Sequence, residues 1–226
     1  MLLSDAMKRL LLCLTLTAAC ASTPPASAPP STTTPVADRA AFSDIDHERV
    51  DYHIARFTGE KRAEFASYLE RKSQYETMIS EKLRRRGMPQ ELLYLAMIES
   101  GFNPQARSTQ EASGIWQLIP DTARRYGLRV DDTLDERQDA EKSTDAALSY
   151  LSYLYNRLGS WYLAAAAYNT GENRVARLMQ ETTGKESGTD ADYYRIWDQL
   201  PGETRDFVPV MVAAMRIARE PGRYGF

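Results

Sequence analysis

The stretch "LLYLAMIESGF", residues 92–102, places one carboxylate, Glu99, among apolar side chains. A carboxylate at the end of a buried helix is desolvated. Desolvation favours the neutral form and lifts the pKa toward the working pH, which makes a proton donor. Cleavage of a glycosidic bond needs such a donor, because the leaving alkoxide must be protonated. Sugar clefts combine amides and hydroxyls with flat apolar faces. Two other stretches offer them: "SGIWQLIP" (113–120), with Trp116 and Gln117, and "AAYNTGENRV" (166–175), with Tyr168 and Asn169 at a helix end before Gly171. Taken residue by residue, plainer roles stay open. Glu99 fits a solvated helix end stopped by Gly101, Trp116 a core position and Tyr168 ordinary packing. Ser100 fits a helix-terminal hydroxyl, and Gly114 a close backbone approach.

The elements that must position these residues read as helices. From Ala41 onward the apolar period is helical. Between Glu60 and Gly87, Phe65, Tyr68, Leu69, Tyr75, Ile79 and Leu83 recur at spacings near three and four. The run Arg84–Arg86 falls in the last turn, where cations suit the helix dipole. Gly87 and Pro89 mark a stop and a restart. A helix from about Pro89 to Ser100 is apolar all round, so it is expected to be buried, with Asn103–Pro104 ending it. Further helices are expected over Pro120–Tyr126, Glu141–Leu158, Trp161–Asn169, Glu172–Thr182 and Glu203–Arg219, with 182–192 as a polar loop. No alternating stretch is long enough for a sheet, so the class is mainly α.

Composition narrows the function. The chain has 226 residues, 43% hydrophobic and 26% charged, with a formal net charge of -3. That suits one folded domain with appendages and offers no basic field for nucleic acid. The two histidines, His47 and His53, and two cysteines, Cys13 and Cys20, form no metal-spaced cluster, and no Gly-rich phosphate loop is present. The beginning reads as a targeting segment. Lys8 and Arg9 precede an apolar run, Leu10–Leu16, and then Ala18 and Ala19. That run is shorter than the ~20 residues a membrane span needs and has the pattern of a secretory signal. The small residues ending at Cys20 resemble a bacterial lipoprotein box, with Thr17 where Leu is commoner. An ordinary secretory signal is the alternative. Residues 21–37, "ASTPPASAPPSTTTPVA", have too little apolar surface to offset their ordering entropy and read as a tether.

Four segments in order, "GMPQELLYLAMIESGFNPQARS", "SGIWQLIPDTARRYGL", "AAAYNTGENRV" and "LPGETRDFVP", resemble the catalytic domain of lytic transglycosylases of the soluble-lytic-transglycosylase superfamily, nearest the membrane-bound type D. The resemblance covers roughly Gly87–Ala218. It implies a mainly α, goose-type lysozyme-like domain at 87–220 with an N-terminal helical extension at 41–86. These would follow a lipoprotein-type signal peptide at 1–20, lipidated at Cys20, and a tether at 21–40. It implies that Glu99 is the sole catalytic acid/base and that Ser108 is a hydroxyl near the substrate's acetamido group. It further implies that Gln117 contacts glycan, that Ile119 is cleft wall, and that Tyr168 and Asn169 line the cleft. The implied substrate is peptidoglycan, cut between MurNAc and GlcNAc to leave 1,6-anhydro-MurNAc ends without cofactor or metal. The implied partners are glycan strands, a bacterial membrane (expected to be the outer one) reached through the lipid, and proteins of cell-wall synthesis or division, with no nucleic acid. A hydrolase on the same fold would need a second acid, such as Glu111 or Asp121. A non-catalytic glycan-binding lipoprotein is the other alternative. In the family the last segment usually has Tyr where this chain has Phe207. Tyr193 and Tyr194 are the nearby candidates for a substitute hydroxyl.

Overall fold

The computed structural model describes residues 41–226. The lipidation site, signal peptide and tether expected at 1–40 lie outside the described residues. Among the described residues nine α-helices follow in order: α1 (Glu48–Thr58), α2 (Arg62–Arg85), α3 (Leu93–Ser100), α4 (Pro120–Arg125), α5 (Ala140–Leu158), α6 (Trp161–Thr170), α7 (Glu172–Thr183), α8 (Asp190–Ile196) and α9 (Gly202–Arg219). Extended backbone among the described residues is limited to isolated bridges such as Arg107 with Ser113 and Ser113 with Leu118. The class is therefore mainly α, as the periodicity indicated.

Two short helices form the centre. In α3, Leu93 to Met97 are all buried, and in α6 Trp161 to Ala167 are fully buried. The four alanines 164–167 let neighbouring helices approach α6 closely, and α5, α7, α8 and α9 all pack on it. A helix buried on every side has no solvent to satisfy its ends, so caps are supplied. Ser160 Oγ accepts from Leu163 N–H at 3.2 Å and donates to Asp190 Oδ1 at 2.5 Å. Each fully buried Leu or Val in this core contributes roughly 1.5–3 kcal/mol.

Helix α3 stops at Gly101, two residues before the expected Asn103–Pro104 break. Gly101 has φ +58°, and its N–H donates to Met97 O at 2.8 Å. Glycine is required there twice over. The left-handed conformation disfavours a side chain, and a Cβ would lie 2.3 Å from the Tyr68 ring. Tyr68 belongs to α2, and Arg71 of the same helix donates from Nε to Gly101 O at 2.6 Å. Phe65, Ile79 and Leu83 of α2 join the same core as α3.

Helix α9 carries Pro209 in its interior. Proline cannot donate to the carbonyl four residues back. The freed Arg205 carbonyl is satisfied by Tyr193 Oη and Trp197 Nε1, each donating at 2.7 Å. From the other side α1 packs along α9. Arg49 pairs with Asp206, and Arg216 with Asp44 and Asp46.

The segment 182–192 is only partly the expected loop. Helix α8 begins at Asp190, with Thr189 and Asp192 capping each other reciprocally. The Thr-x-x-Asp spacing is a capping signal whose acid is Asp rather than the commoner Glu, set in a polar run that masks it.

Candidate active site

Glu99 projects from the last turn of α3. It is half-buried, and among the described residues it makes no hydrogen bond or ion pair. Burial, and secondly the nearby charge of Glu203, push its carboxyl up to about 8. Glu99 is thus protonated at neutral pH, and with no donor holding the anion it is free to give its proton away.

Tyr168, on α6, faces it. Burial, then the charge of Glu99, raise the Tyr168 hydroxyl well above its ordinary value. That hydroxyl donates to the main-chain oxygen of Trp116 at 2.7 Å, so it serves the loop rather than the carboxylate. The Tyr168 ring packs on Tyr150, and Tyr150 on Tyr126, with centroids 5.3 Å apart at each step.

The loop between α3 and α4 is held by polar side chains. Ser100 Oγ donates to Ile115 O at 2.9 Å, so it is a structural hydroxyl at the helix end. Trp116 is fully buried and donates from Nε1 to Thr144 Oγ1 at 2.8 Å, which makes it core rather than cleft wall. Gln117 takes the left-handed conformation, φ +47°. Its Nε2 donates to Gly114 O at 2.8 Å and Ala106 O at 3.2 Å, leaving Oε1 as the remaining acceptor. Ser108 Oγ accepts from Ala112 N–H at 3.0 Å and Gln110 N–H at 3.2 Å, tying a tight turn. At Gly114 a Cβ would stand 1.8 Å from Arg137 O, so the close backbone approach is real. Arg137 was not legible in the sequence as an organising group. It is 4% exposed, pairs with Asp135 at 2.8 Å, and donates from one nitrogen to Glu111 O and Leu118 O. Its only sequence signal is the spacing Asp135-x-Arg137.

Asn169 follows Tyr168 on α6 and turns toward α9. Its Nδ2 donates to Glu203 Oε1 at 3.1 Å, and its Oδ1 accepts from Thr204 Oγ1 at 2.7 Å. Glu203 sits in the first turn of α9, where the helix dipole favours negative charge. Glu203 is the acid the sequence reading missed. It lies within the "LPGETRDFVP" segment, but only the packing of α9 on α3 brings it to Glu99.

Ser108 and Ile119 line a separate groove of about 1080 Å³, together with Glu111, Asp121 and Leu134. Ile119 is 47% exposed there. Glu99, Gln117, Tyr168 and Asn169 are not among its lining residues. Glu111 and Asp121 are both exposed, Asp121 pairing with Arg124, and neither charge contributes to the raised proton affinity of Glu99. Tyr193 Oη is consumed by the backbone of α9, and Tyr194 stacks on His47 with centroids 4.5 Å apart. Neither replaces the hydroxyl absent at Phe207, which is buried on α9.

A helical core with a proton-holding glutamate at the end of a buried helix, faced by a Tyr-Asn pair, defines a lysozyme-like class. Residues 76–190 match the transglycosylase SLT domain model, and the chain belongs to that family. It is 41% identical over 152 residues to membrane-bound lytic murein transglycosylase D of Escherichia coli K12, covering 67% of this chain and 33% of that protein. It is 29% identical over 125 residues to the soluble lytic murein transglycosylase of the same organism, covering 53% of this chain and 19% of the relative. The chain therefore spans about a third or less of the length of these relatives. The crystal structure of the 70 kDa soluble lytic transglycosylase of Escherichia coli superposes with a TM-score of 0.52 at 25% identity, over 64% of this chain and 24% of that one.

Proposed function

We propose that this protein is a peptidoglycan lytic transglycosylase that cleaves the MurNAc–GlcNAc β-1,4 bond and leaves a 1,6-anhydro-MurNAc end. The observation that carries the reading is Glu99 itself, a carboxyl held up at about 8 with no donor on it. Such a group gives its proton to the leaving oxygen at neutral pH. The N-acetyl group of the sugar assists the positive centre at C1. Glu99, now ionised, takes the proton of the C6 hydroxyl, which closes on C1. Bond breaking and bond making balance without water. Gln117 Oε1, the Ser108 turn, the exposed Ile119 face and the Tyr168–Asn169 pair are the glycan contacts in this reading. Mass spectrometry of digested sacculi tests it. Anhydro-muropeptides, lighter by one water than reducing ones, are expected.

The nearness of Glu203 favours a second reading, hydrolysis with Glu203 activating water. Inverting glycosidases place such a base ~6.5–9.5 Å from the acid. Reducing muramic acid ends in the same spectrum would replace the first reading by this one.

For the rest of the chain we propose a signal peptide at 1–20 lipidated at Cys20, a tether at 21–40, a helical extension at 41–86 and a catalytic region at 87–220. The anchor would hold the enzyme at a bacterial membrane facing the periplasm, within reach of proteins of cell-wall synthesis or division. No helix among the described residues is long and apolar enough to cross a membrane. Cys20→Ala should leave activity intact and move the protein to the soluble fraction; wild type found wholly soluble would remove the proposal.

A further inference from the structure

The structure assigns Thr204 as a positioning residue: its buried hydroxyl fixes the carboxamide of Asn169, and through it the carboxylate of Glu203, beside Glu99. The inference rests on the reading of Glu99 as the acid and extends it to how the acid is kept charged with its proton.

Hydrogen-bond direction sets the orientation of the Asn169 amide. A carboxamide presents a donor on one side and an acceptor on the other. Glu203 Oε1, 3.1 Å from the Asn169 amide, accepts and cannot donate while ionised, so Nδ2 must face it. Oδ1 then faces Thr204 Oγ1 at 2.7 Å, and the hydroxyl must be the donor. Rotating the amide by half a turn would put oxygen against carboxylate and nitrogen against a hydroxyl whose hydrogen is directed at it. Thr204 is 1% exposed, so no water substitutes for it. Its backbone is held beside Tyr193 Oη, whose single hydrogen is shared between the Arg205 carbonyl at 2.7 Å and the Thr204 carbonyl at 3.0 Å. The chain Tyr193–Thr204–Asn169–Glu203 thus runs from the core of α8 and α9 to the carboxylate whose charge acts on Glu99. No other side chain among the described residues donates to Glu203, so the Asn169 amide is its one fixed side-chain donor.

Loss of the Thr204 hydroxyl leaves Asn169 Oδ1 without its donor, so the amide is held from the Glu203 side alone and the Asn169–Glu203 pair loses its fixed place. A Glu203 carboxylate that is no longer held in one place acts less strongly on Glu99. Glu99 then sheds its own proton at lower pH. The test is Thr204→Val, which keeps shape and removes the hydroxyl, with Thr204→Ser as the conservative restoration. The readout is ¹³C NMR titration of the Glu carboxyl carbons, with Glu99→Gln assigning the Glu99 signal, alongside the pH dependence of turnover on sacculi. In Thr204→Val the Glu99 titration and the alkaline limb of the rate should both move ~0.5–1 pH unit down, and kcat should fall about tenfold, the scale of one hydrogen bond, with KM little changed. Thr204→Ser should restore all three. If Thr204→Val does not fold, Thr204→Ala repeats the measurement without the second methyl. A Glu99 titration unchanged by loss of the hydroxyl overturns the proposal, as does a serine variant that behaves like valine. The NMR titration reads the proposal even if the sacculi assay shows no cleavage, so failure of the functional reading is told apart from failure of this one.

Discussion

Glu203, in the first turn of α9, lies near enough to Glu99, at the end of α3, for its charge to raise the proton affinity of its neighbour. Two acids from distant parts of the chain therefore meet with unequal tasks. One is pinned by Asn169, and the other is left without a donor.

The first expectation concerns pH. With the Glu99 carboxyl pushed up to about 8, activity should hold through neutral pH and fall above it as the acid loses its proton. Glu203→Gln removes the nearby charge and should draw that limb to lower pH. Turnover on purified sacculi from pH 5 to 10 measures it, and an unmoved limb would show that Glu203 does not act on Glu99.

Glu99→Gln should lower turnover by ~10²–10⁴-fold or more, the range of general acid–base catalysis, because one group serves both steps. Its stability has a definite sign. The folded protein holds the Glu99 proton up to about 8 and the unfolded chain loses it near 4.5. The native state binds more protons across that window, so wild-type stability falls as pH rises through it. The variant lacks that loss. Urea denaturation at pH 5 and pH 9 should show it gaining on wild type by ~1 kcal/mol or more, since a tenfold change in proton affinity is worth about 1.4 kcal/mol. A constant difference between the two would contradict the burial of this carboxyl.

Phe207 lies four residues after Glu203, on the same face of α9. Phe207→Tyr should place a hydroxyl toward the site and stabilise an ionised Glu99. The limb assigned to Glu99 should then move to lower pH with product unchanged. Identical profiles would place position 207 out of reach of the glutamate.

Tyr168→Phe removes the donor to Trp116 O. The fold should lose ~0.5–1.5 kcal/mol, and activity should fall about tenfold as the loop carrying Gln117 loosens. Thermal unfolding and turnover together check this; full activity would separate the loop tie from function.

Arg137→Met takes from Asp135 its bidentate partner, with Arg107 remaining at 3.7 Å, and removes a donor from the Glu111 and Leu118 carbonyls. Removing one partner of a buried pair costs ~3–5 kcal/mol, and chemical denaturation should show a loss of that order. Gly114→Ala should be at least as damaging, given φ +81° and the Arg137 carbonyl in the way of a Cβ.

The chain's own sequence determined the helical class, most helix bounds and the identity of the lone acid on α3. Apolar period and capping residues act locally and leave their record in residue order. It also set Phe207 apart and carried Tyr168 and Asn169 side by side. Tertiary structure decided the rest. The roles of Trp116 and Ser100 as supports depended on Thr144 and Ile115, 28 and 15 residues away. Glu203 became a partner of Glu99 only when α9 packed on α3, since electrostatic range is a distance in space and 104 positions in sequence hide it. Thr204 and Arg137 gained their roles the same way: a hydroxyl or guanidinium shows its worth only when burial removes the water that would otherwise replace it.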